Sequence, residues 1–139
     1  MAYREPSRDE LVRLLETART IAVVGASSDP ARPSHGVFVR LLRAGYRVIP
    51  VNPSETAVLG QTAVARLDQI EEPIDIVDVF RRAEATPDVA RAAVAVGAKA
   101  LWLQSGIVNE EAAAIATAGG LVMIMDRCLG VDVALFTAR

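Results

Sequence analysis

The residues best equipped for chemistry follow directly on an apolar run. In VVGASSDPARPSHG, residues 23–36, a glycine is succeeded by two serines, an arginine and the chain's only histidine. Gly25 lets a ligand approach the main chain, and Ser27 and Ser28 present hydroxyls and N–H groups ahead of a helix start, a setting that favours phosphate. The plainer alternative is a turn that its serines satisfy locally. A strand-to-helix loop of this length is longer than most, which favours a ligand. Two familiar phosphate loops are absent. There is no GxxxxGK[ST], which speaks against a nucleoside triphosphatase, and Gly25 is followed by Ala26, Ser27, Ser28 and Asp29 rather than by the spacing GxGxxG. The second apolar strand ends in Asn52 instead of the acid that takes a ribose hydroxyl of NAD, so the dinucleotide reading is weakened.

Cations gather around the same motif. Arg32 and His35 belong to the first loop, and Arg81 with Arg82 follows a third apolar run. Guanidinium forks suit phosphate oxygens, whereas a solvated rim is the bland alternative. Catalytic sets are missing: with one histidine and no HExxH, CxxC or GxSxG, neither a zinc hydrolase nor a serine triad is supported. No catalytic residue and no metal ligand is assigned. Asp126 and Arg127 read as a loop ion pair. Cys128 is the single cysteine, which excludes an internal disulfide framework.

These groups need a scaffold that brings distant loops together. Ser7 and Glu10 have capping-box spacing, and Leu11, Leu14, Leu15 and Ala18 follow at helical intervals, predicting a helix over 8–18. TIAVVG, 20–25, is an unbroken apolar run suited to a strand covered on both faces. Val37, Phe38, Leu41 and Leu42 mark a helix that Gly45 ends. RVIPV, 47–51, is a second strand whose pairing fades at Pro50. IDIVDVF, 74–80, is a third. Thr86 caps a helix with Pro87 at its first position, closed by Gly97, and KALWLQ, 99–104, is a fourth strand. Asn109 caps a helix that opens with Glu110 and Glu111 and ends at Gly119 and Gly120; LVMIM, 121–125, completes the set. Trp102, Met123 and Met125 belong to the sheet core. The tail 131–139, with Leu135 and Phe136, docks on the body.

Alternation of strand and helix without hairpin signals implies an α/β fold: a Rossmann-like, doubly wound, parallel five-stranded sheet with an added N-terminal helix. Right-handed crossovers give the expected order 3-2-1-4-5, with the topological switch between strands one and four. The loops GASS, VNP, FRR and QSG then lie at the ligand-binding edge.

The chain has 139 residues, 52% hydrophobic and 4% aromatic, which predicts one domain over 1–139 with a single aliphatic core. A net charge of -2 gives no general attraction to nucleic acid or anionic membranes, so any anion site is local. No apolar run approaches the roughly 18 residues of a membrane span, and MAYREPSRDE lacks a signal-peptide core, so a cytoplasmic protein is expected. The aliphatic composition leaves room for a homodimer.

Taken together, VVGASSDPARPSHGV, GYRVIPVNP, IDIVDVFRR, GAKALWLQSGIVNEEAA and MDRC resemble the small CoA-binding proteins, whose single domain is similar to the N-terminal CoA-binding domain of the succinyl-CoA synthetase alpha subunit. The likeness runs from about Ile21 to Cys128. It implies coenzyme A, or an acyl-CoA, laid across the strand ends. The diphosphate would lie near Gly25, Ala26 and Ser27, with further contacts from Arg32, Ser34, His35, Asn52, Pro53, Phe80, Arg81 and Gln104. Phe80 is open to two readings, an apolar wall for adenine or a plug for the core. The synthetase's phosphorylated histidine lies in a later domain and His35 does not match it, so the resemblance implies binding rather than ligation. A binding or regulatory module is the expectation; a small NAD(P)-dependent oxidoreductase or CoA-transforming enzyme is the alternative. Cys128 has two readings as well, a small apolar core residue or a thiol poised to pair with that of coenzyme A.

Overall fold

The computed structural model describes residues 3–137. Ser7 accepts a hydrogen bond from the Glu10 N–H (3.2 Å) and opens helix α1 (Arg8–Thr17), which buries Leu11 and Leu15. Strand β1 (Thr20–Val24) is buried along its whole length and runs into helix α2 (Pro33–Arg43) through the long loop. Strand β2 (Arg47–Val51) leads to a small antiparallel hairpin, β3 (Ala57–Val58) with β4 (Gln61–Thr62). The remaining units are β5 (Ile76–Val79), α3 (Thr86–Ala95), β6 (Ala100–Leu103), α4 (Glu110–Ala118), β7 (Val122–Ile124) and α5 (Leu129–Phe136).

All pairings in the five-stranded sheet are parallel. Period-two alternation divides the core. Ile21, Val23, Ile76, Trp102 and Ile124 face α1, α2 and α5, while Ala22, Val24, Val77, Leu101 and Met123 face α3 and α4. Met125 is half-buried against that second cluster. The doubly wound parallel architecture is therefore as expected, and α5 docks on α2 and α1 through Leu129 and Val133; residues 138 and 139 of the expected tail lie outside the described residues.

The strand order differs from expectation. It is β2-β1-β5-β6-β7, which is 2-1-3-4-5 by rank rather than 3-2-1-4-5, and the switch lies between strands one and three. Pro50 carries the physical reason. It has no N–H to give to a second neighbour, so β2 takes the edge and β5 pairs with the open side of β1. The segment between β2 and β5 holds the hairpin and a single 3-10 turn, with no crossover helix. A smaller difference concerns α3: a 3-10 turn at Ala83–Ala85 precedes it, so Thr86 is already helical and its hydroxyl donates to the Ala83 carbonyl (2.7 Å), leaving Ala85 as the cap.

Two central-sheet features bear on the site. Gly25 has φ +88°, and a Cβ there would collide with the main-chain carbonyl of Phe80 at the end of the neighbouring strand. Asp78 stands in β5 between Val23 and Trp102, with no exposed surface and no hydrogen-bond partner for either carboxyl oxygen among the described residues. Burial pushes its carboxyl well above the usual range.

Gly25→Ala is expected to cost at least about 2 kcal/mol in urea unfolding, since a left-handed backbone and a backbone collision act together; an unchanged midpoint would show that β1 and β5 can part freely. For Asp78, the folded state holds a proton that the unfolded chain releases above about pH 4, so stability falls as pH rises through the unfolded value toward the folded one. Asp78→Val should therefore gain about 1–3 kcal/mol at pH 7. The stability deficit of the native chain against Asp78→Asn should widen between pH 4 and pH 7, and a constant difference would show that the carboxyl does not titrate as described.

Candidate functional site

With β1 and β5 side by side, the GASS loop meets FRR directly, and QSG lies one strand further on. Two hollows open on opposite faces of this edge. The first, of about 450 Å³, is lined by Gly25, Arg32, Ser34, Phe80, Arg81 and Gln104, all expected from the sequence. Val37, Ile107 and Cys128 add apolar wall to it. The second, of about 350 Å³, has an apolar floor of Val24, Val51, Leu67, Val89 and Ala92, with Arg66, Asp68 and Asp88 at its rim. Arg81 belongs to both.

The remaining expected residues shape the loop from behind. Asn52 donates from Nδ2 to the Ala26 carbonyl (2.8 Å) and accepts the Ser54 N–H on Oδ1 (2.9 Å). Nδ1 of His35 lies 2.9 Å from the Ser27 carbonyl; a carbonyl only accepts, so this nitrogen carries the proton. The Ser27 hydroxyl oxygen accepts from the Asp29 N–H (3.0 Å). Ala26 is fully buried and Pro53 is exposed. His35 and Asn52 thus brace the loop rather than line either hollow.

What the loop leaves open is instructive. The N–H groups of Ala26 and Ser27 donate to no other described residue. Ser34 is 3% exposed, and its hydroxyl, on the wall of the first hollow, has no hydrogen-bond partner among the described residues. Gln104 is 5% exposed; its Oε1 accepts from the Leu129 N–H (3.0 Å), which fixes the amide and leaves Nε2 for the cavity. Buried polar groups ordinarily find partners, so the Ser34 hydroxyl and Gln104 Nε2 left open at one cavity mark a place where a ligand can supply acceptors.

Sequence reasoning missed several participants. Glu55 accepts both the N–H (2.9 Å) and the hydroxyl (3.1 Å) of Ser28 through one carboxylate oxygen, tying the loop after β2 to the loop after β1. Nothing in the spacing of residues 27 places apart announces that bond. Arg66 reaches the second hollow from the hairpin segment, whose course depends on the corrected strand order. Asp126 and Arg127 do not pair with each other. Asp126, at φ +59°, accepts the Gly106 N–H (2.7 Å), whereas Arg127 forms a two-pronged bridge to buried Asp132 (2.7 and 3.1 Å) and reaches Glu5 (3.3 Å). Cys128 is half-buried, packed against the core cluster and also on the cavity wall.

No group of three or more potential metal-binding side chains occurs among the described residues, and none of their helices is long and apolar enough to cross a membrane. Comparison with known proteins adds a family. YneT of Bacillus subtilis (strain 168) is 44% identical over 128 residues, covering 92% of this chain and 95% of the relative. The structure of cell-free ID.343 from Thermus thermophilus superposes with a TM-score of 0.90 at 40% identity, over 95% of this chain and all of that one. A hypothetical protein from Pyrococcus horikoshii OT3 gives a TM-score of 0.92 at 31% identity, covering 98% of each chain. The family model for the CoA binding domain matches residues 19–134, the span that contains every strand of the sheet and both hollows, and the chain belongs to that family.

Proposed function

We propose that this chain binds coenzyme A, free or as an acyl thioester, as a non-catalytic binding or regulatory module. The observation that carries the reading is the pair of hollows on opposite faces of the sheet edge with Arg81 in the wall of both. Coenzyme A has a matching form: a nucleotide at one end, a slim arm with two amides at the other, and a diphosphate between them. The hollow floored by Val51, Leu67 and Val89 suits the base, and Arg66 at its rim suits the 3′-phosphate. The diphosphate crosses at Gly25 and the free N–H of half-buried Ser27, with the Arg81 guanidinium in the walls of both hollows. The arm enters the other hollow, where its amide carbonyls meet the Ser34 hydroxyl and Gln104 Nε2, with Phe80 as apolar wall and Arg32 at the mouth. Asn52 and His35 hold the loop in shape, and Pro53 limits its freedom.

Calorimetric titration tests this. Coenzyme A should bind at least tenfold more tightly than NAD or NADP, and preference for NADP would overturn the reading. Arg81→Ala should weaken coenzyme A and dephospho-coenzyme A alike by tenfold or more, about 1.4 kcal/mol or above for a charged hydrogen bond. Arg66→Ala should weaken coenzyme A by about tenfold with a smaller effect on the dephospho form; equal losses would move Arg66 away from the 3′-phosphate.

A further inference from the structure

We propose that Cys128 is a covalent attachment point for the thiol end of the ligand, by exchange with the ligand's disulfide form; the proposal rests on the coenzyme A reading above. Three observations meet in one cavity. The Cys128 thiol is the chain's only one, has no internal partner and lies half-buried on the wall. Ser34 and Gln104 line the same cavity and are each more than nine-tenths buried, yet keep a hydroxyl and an amide N–H₂ without partners among the described residues. Such groups fit the amide carbonyls of an extended arm and thereby steer its terminal sulfur along the wall. The diphosphate anchor proposed at Gly25, Ser27 and Arg81 fixes the other end, so the sulfur arrives at high effective concentration.

The step balances without an external oxidant beyond the ligand's own disulfide. The Cys128 sulfur gives up its proton to water and attacks one sulfur of the symmetric coenzyme A disulfide. The S–S bond of the ligand breaks, a Cys128–S–S–coenzyme A bond forms, and the departing coenzyme A thiolate takes up a proton. One disulfide is exchanged for another, with no net electron transfer. A free thiol reverses the reaction. The cavity then records the ratio of oxidised to reduced ligand, holding its occupant until reduction releases it.

The test is intact-protein mass measurement after exposure to coenzyme A disulfide, beside calorimetry of the native chain with coenzyme A under a phosphine reductant. One coenzyme A unit should add per chain, disappear on reduction, and be absent in Cys128→Ser. Glutathione disulfide at the same concentration should modify Cys128 at least tenfold more slowly, and Arg81→Ala should slow the coenzyme A reaction by a similar factor. Equal rates with glutathione disulfide would make Cys128 an ordinary exposed thiol and overturn the proposal. Coenzyme A binding under reductant without any adduct would overturn it too, while leaving the binding reading intact. Absence of both binding and adduct would remove the reading itself.

Discussion

The close passage of β1 against β5 at their carboxyl ends is the constraint on which the rest of the edge depends. Gly25 and the Phe80 carbonyl occupy space that a single added carbon would fill, so the two loops leave the sheet from adjacent points. One loop goes to α2 on one face and the other to α3 on the opposite face. A crevice must open where they diverge, because no side chain at position 25 can bridge it. Arg81, the residue after that carbonyl, inherits a position on the watershed between the two hollows.

The elements were legible because their signals are local. Capping at Ser7 and Asn109 and the strand runs depend on neighbours in sequence, and the structure realises them. Order in the sheet is not local. It turns on Pro50, whose missing donor is visible in the sequence but fits a fading strand end as well as an edge strand. The site followed the same division. Gly25, Arg32, Ser34, Phe80, Arg81 and Gln104 follow strand ends or open a helix, and they converge. Glu55 and Arg66 come from a segment without periodicity, so only the folded path reveals where they point. Asp126 was visible as a charge, but its partner is a main-chain N–H twenty residues away, which no charge pattern encodes.

The first loop is braced by its own hydrogen bonds. His35 holds the Ser27 carbonyl, Asn52 holds that of Ala26, Glu55 holds Ser28, and the Ser27 hydroxyl holds Asp29. Loops fixed in this way lose less conformational freedom on binding. Asp78 is a different case, with both carboxyl oxygens sealed from solvent and without a partner among the described residues. Its neutral carboxyl lies one pleat below Phe80 on the same face, so the strand that supports the first hollow carries an unresolved polar cost in its middle.

Pro50 has a consequence at the far side of the molecule. Its carbonyl accepts the Val64 N–H (3.0 Å), and Asn52 donates to Val64 in turn (2.9 Å), so the returning chain seals that end of β2. At the opposite margin β7 offers only three residues. Neither border presents a long run of open backbone that another polypeptide could lengthen, which guards the protein against fibre growth by strand addition.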